Sequence, residues 1–154
     1  MTNSLSVSLG DRNLGAYLGM SFAVEDASPH RAVAVEVIAH PWSGTLDAAF
    51  SAADLRAFAA DLRSDEAPRR VVLGGDRARE LELKLARQSG PPSGEQVFAV
   101  EARLAWTGDD PFPELRWLMF DVTQEQVNAA AAGVDAAAAA TAGVDDATGT
   151  ARDR

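Results

Sequence analysis

The sequence predicts an α+β fold: a mainly antiparallel sheet of about six to eight strands, one amphipathic helix over about residues 51–64 packed on it, and an Ala-rich helix near the C-terminal end. Three observations predict it. Apolar residues alternate with polar ones in several short segments, the period of a half-buried strand. One segment beginning at Ser51 carries its apolar residues at helical spacing instead. The connections are short and rich in Gly, Pro and Ser, which suits hairpins rather than the long crossovers of a parallel sheet.

The first strand signal is Leu14–Val24, with Leu14, Leu18, Met20, Phe22 and Val24 on one side and Tyr17 and Ser21 on the other. Arg31–Ala39 follows, with Val33, Val35 and Val37 sharing a face, and Ser43-Gly44 turns the chain into Thr45–Phe50. Ser51 and Asp54 form a capping-box start, after which Leu55, Phe58, Ala59 and Leu62 make one apolar stripe. Strand signals return in Val71–Leu73 and in Glu80–Leu85, the cleanest alternation of all, separated by the Gly74-Gly75-Asp76 turn.

Gly90–Gly94 holds two prolines and is a loop, and Phe98–Trp106 alternates again. Leu115–Val122 is apolar on both faces apart from Arg116 and Asp121, which predicts a strand in the middle of the sheet. Thr123 and Gln126 repeat the capping pattern and open the last helix, whose thin face of Val127, Ala131, Val134 and Ala138 predicts docking of the first turns and fraying beyond Gly133. No internal repeat is evident. The expected organisation is a single α+β domain over 1–128, an Ala-rich helical extension over 129–140, and a disordered tail over 141–154, where small polar residues offer no apolar area to a core.

Composition narrows the function classes. A net charge of −9 argues against nucleic acid and anionic membranes as partners, because phosphate is gripped by clustered cations, and it favours a basic protein partner. No apolar run approaches the roughly 20 residues of a spanning helix, and the N-terminal segment lacks the features of a signal peptide, so a cytoplasmic location is expected. The chain has no cysteine, which removes disulfides, thiol nucleophiles and thiolate metal sites.

Catalytic signals are weak. His30 and His40 are the two histidines, and they flank opposite ends of one candidate strand, roughly 30 Å apart if extended. No Gly-x-Ser-x-Gly elbow surrounds any serine. Asp109 and Asp110, with Glu114 and Asp121 nearby, match no calcium loop and read as a solvated acidic loop. Gly74-Gly75 lacks the rest of a phosphate-binding loop. The expectation is no catalytic residue, no metal site and no cofactor. Trp106 and Trp117 fall on strand-core positions, whereas Trp42 lies in a turn, where it either packs over the sheet edge or faces a partner.

The segment Val35-Glu36-Val37, Trp42-Ser43-Gly44 and Ser51–Leu62, with its Asp-Leu-x-x-Phe-x-x-x-Leu helix, resembles small actinobacterial proteins related to the WapI-type (wall-associated-protein) immunity family. The strands Glu80–Leu85 and Phe98–Leu104 continue the layout, so the resemblance spans roughly residues 14 to 128 and leaves out the Ala-rich end. It implies a cytoplasmic antitoxin that binds a toxin domain, with no catalytic residues to carry over. The expected function is therefore a non-enzymatic protein-binding domain, an immunity or inhibitor protein for a basic toxin. A structural or accessory subunit of a bacterial assembly, and a small-ligand binder or enzyme, are the competing readings. The candidate contact residues are Asp109 and Asp110, Asp65 and Glu66 after the helix, and Trp42.

Overall fold

The computed structural model describes residues 4–23, 30–74, 79–88, 94–106 and 114–149. Eight strands form two four-stranded antiparallel sheets. The first sheet is the meander β1 (Ser4–Asp11), β2 (Ala16–Ala23), β3 (His30–Ala39) and β4 (Trp42–Ser51), and the chain passes from it directly into α1 (Ala52–Leu62). The second repeats the plan with β5 (Arg69–Gly74), β6 (Arg79–Arg87), β7 (Val97–Trp106) and β8 (Glu114–Thr123), followed by α2 (Gln124–Gly149). A short 3-10 turn, Arg12–Leu14, joins β1 to β2. The expected α+β class and antiparallel pairing are observed, with the strands divided between two sheets.

The repeat is one of pattern rather than identity. Ser51 caps α1 by accepting the Asp54 N–H at 3.1 Å, and Thr123 caps α2 by accepting the Gln126 N–H at 3.1 Å. The buried stripe Leu55, Phe58, Ala59 and Leu62 of α1 corresponds, position for position, to Val127, Ala130, Ala131 and Val134 of α2. Each helix also leans on the first strand of the other half, α1 on β5 and α2 on β1, and the two helices pack together. One continuous core results, shared by both sheets and both helices.

Several expectations are corrected. β1 carries no strand in the sequence reading, yet Leu5, Val7 and Leu9 alternate with serines and pair along the whole of β2. Leu14, expected on a strand's apolar face, sits in the 3-10 turn and is exposed. β8, expected in the middle of a sheet, is an edge strand: Trp117, Met119 and Val122 are buried, while Leu118 and Phe120 point to solvent. α2 does not fray beyond Gly133, since Val134, Ala137 and Ala138 are all in the core. Its backbone continues to Gly149, and the expected tail otherwise falls on residues 150–154 and on side chains outside the described residues.

The end of α1 is held by a charged side chain from the next strand. Arg69 is buried and donates from Nη2 to the Leu62 carbonyl at 2.9 Å, an acceptor that the helix end leaves open, and from Nη1 to the Glu66 carbonyl of the connector at 3.1 Å. Its guanidinium lies over the Phe98 ring. Burial, reinforced by Arg87, lowers its pKa.

Candidate functional site: an open cleft beside Trp42

The β3–β4 hairpin turns through His40-Pro41, placing Trp42 opposite Ala39 as the first residue of β4. The register then sets Gly44 opposite Val37, Leu46 opposite Val35 and Ala48 opposite Val33. Opposed residues share a face, so Trp42, Gly44, Leu46, Ala48 and Phe50 all stand on the face that buries the three valines. Trp42 is nevertheless 70% exposed.

Beside it the core opens into a cleft of about 380 Å³, which Trp42 lines. One wall is β3 and β4, with Val35, Val37, Trp42 and Leu46, and the other is Leu104 of β7 with Glu114 and Leu115 of β8. The lining is mainly apolar. A Cβ added at Gly44 would meet no atom within 4 Å, so the glycine widens the cleft rather than easing a tight contact. Glu114 at the rim is not a free charge: Arg103 donates to it at 2.7 Å and Arg116 also pairs with it, and these bonds lower its pKa.

The same pairing extends across the outer face of the second sheet. Glu82, whose residue is 6% exposed, accepts from Arg70 at 2.7 Å and lies 3.6 Å from Lys84 and 3.8 Å from Arg103. Arg103 reaches Glu80 at 3.0 Å, and Arg116 lies 3.5 Å from Glu101. This face is therefore nearly balanced in charge. By contrast, Asp47, on the outward face of β4, is exposed and makes no ion pair among the described residues.

Of the residues singled out in the sequence, Trp42 lines the cleft, and Asp65 and Glu66 do not. These two are exposed on the connector between α1 and β5, where their backbone carbonyls accept from Arg87 and Arg69. Asp109 and Asp110 lie outside the described residues. Leu46, Leu104 and Leu115 were missed as site residues because each reads as ordinary strand core; the available signal was the small Gly44 within the alternation. His40 is exposed beside the hairpin tip, and among the described residues no group of three or more His, Asp or Glu could hold a metal. No described helix is long and apolar enough to cross a membrane.

No family model, no curated protein and no solved structure matches the chain.

Proposed function

We propose that this chain is a non-enzymatic, cytoplasmic protein-binding domain, an immunity or inhibitor protein that captures a basic toxin domain. The observation that carries the reading is Trp42, a large aromatic on the core face of its strand yet 70% exposed at the lip of an apolar cleft. Aromatic side chains beside a partly filled pocket are the anchors on which protein interfaces concentrate their binding energy. The net charge of −9 supplies the complementary long-range attraction to a basic partner. The likeness of Val35–Leu62 to WapI-type immunity proteins points the same way.

The test begins with capture of a binding protein from the native host, followed by association kinetics of the purified pair against salt. Steering is screened beyond about 8 Å at physiological ionic strength, so association slows as salt is added while dissociation changes less. Trp42→Ala accelerates dissociation. An association rate indifferent to salt, together with a Trp42→Ala variant that binds as the parent does, overturns the reading.

A further inference from the structure

Among the described residues, β4 is an edge strand that lacks the usual protection of an edge. Its principal neighbours are β3 and, where its end enters the helix, α1; β1 is covered by α2 and β8, β5 by α1, and β8 lies against β1 and β2. Over Trp42–Ser51 there is no proline, no lysine and no break in register, and Asp47 is the single charge. Edge strands normally carry such features because their unpaired N–H and C=O groups form a template for another strand. β8 has them: a register irregularity opposite β7, a left-handed residue at Asp121, and the charges of Glu114 and Arg116.

The two halves of the fold provide an internal comparison. Register matches the inward pairs Val37/Gly44 with Leu104/Leu115, Val35/Leu46 with Ala102/Trp117, and Val33/Ala48 with Val100/Met119. At all three positions β4 carries the smaller side chain of the two edge strands: Gly44 where β8 has Leu115, Leu46 where it has Trp117, Ala48 where it has Met119. The fold can fill this face, as β8 does. At Gly44 and Leu46 the missing volume opens into the cleft, which does not extend to Ala48.

We infer that β4 takes up an extended segment of the partner as an additional strand, with an aliphatic side chain of that segment seated against Trp42, Leu46 and Leu115 and a basic side chain beside Asp47. The inference rests on the protein-binding reading and specifies how the partner is held. Main-chain pairing supplies affinity, and the cleft selects alternate side chains. Asp47 lies on the opposite face from Gly44 and Leu46, so the recognised segment alternates aliphatic with polar or basic residues. A second copy fits less well. Antiparallel self-pairing that keeps the apolar face continuous sets the two Asp47 carboxylates opposite or nearly opposite each other, between chains that each carry −9.

The absence of cysteine permits a direct test. Ser43→Cys adds one exposed thiol at the start of β4, to which an eight-residue peptide alternating valine with lysine and threonine, extended by one terminal cysteine activated as a mixed disulfide, is joined by thiol–disulfide exchange, giving a local concentration on the order of millimolar. Backbone hydrogen exchange over 42–51 is compared with and without the peptide. Pairing slows it at least about tenfold, as expected for amides recruited into a ladder. The same peptide with N-methyl groups along its pairing edge gives no slowing, and Gly44→Leu, which fills the cleft as Leu115 does in the other half, abolishes the effect. No slowing, equal slowing by the methylated peptide, or slowing that appears without peptide as protein concentration rises each overturns strand addition. The methylated peptide decides the matter whether or not Gly44→Leu folds. A natural partner that binds as tightly to Gly44→Leu as to the parent also overturns it while leaving the protein-binding reading intact; β4 pairing with the peptide but no basic partner found removes the wider reading instead.

Discussion

Gly133 of α2 lies so close to Val7 of β1 that a Cβ on the glycine would stand 2.5 Å from the valine Cγ2. This approach lets the second helix close over the first sheet, and it sets helix propensity against packing. Replacing glycine by alanine in an exposed helix is favourable by about 1 kcal/mol. Here the added methyl meets a β-branched side chain that is itself buried, and overpacking of that kind costs about 1–3 kcal/mol. Gly133→Ala therefore lowers the urea midpoint. A raised midpoint would show that α2 does not seat against β1 as described.

Phe58 is fully buried on α1, at the position where α2 has Ala130. Phe58→Ala costs about 3–5 kcal/mol, read from denaturant unfolding. A variant as stable as the parent would mean that the helix presents a different face to the core.

The phase of α1 was legible in the sequence because its stripe and its capping box agree, and β2, β3, β6 and β7 were legible because their apolar residues alternate with the period of a half-buried strand. β8 misled because a strand apolar on both faces ordinarily signals burial on both, whereas Leu118 and Phe120 remain about half exposed, at 51% and 57%. The repeat stayed hidden because it conserves burial rather than residue type: Leu55 answers to Val127 and Phe58 to Ala130. The candidate site was half legible. Trp42 stands out as a large aromatic at a turn, but the cleft depends on Gly44 facing Val37 and on Leu115 arriving from the other sheet, which only the register and tertiary packing decide.

Stability should respond to acid through the carboxylates of the second sheet. The hydrogen bond from Arg70 holds the Glu82 carboxyl below the usual range, with further help from Lys84, and Arg116 and Arg103 do the same for Glu114. A folded pKa depressed below the unfolded value of about 4.3 contributes stability that is present above that pH and is lost as pH falls through the folded value. Urea midpoints measured from pH 7 down to pH 3 fall in the parent below about pH 4.3. In Glu82→Gln the midpoint is already lower at pH 7, where the arginines have lost their partner, and it declines less steeply in acid. Equal acid slopes in the two proteins would show that the Arg70–Glu82 pair contributes nothing to the linkage.

The most direct measurement of the central claim is hydrogen exchange over the whole chain, free and in complex with the basic protein it captures. The account predicts that new protection centres on Trp42–Ser51 and on the cleft wall at Leu104 and Leu115, and that it weakens in Trp42→Ala. Protection confined to the outer face at Leu118 and Phe120, or to the connector at Asp65 and Glu66, with β4 exchanging as in the free protein, would contradict it.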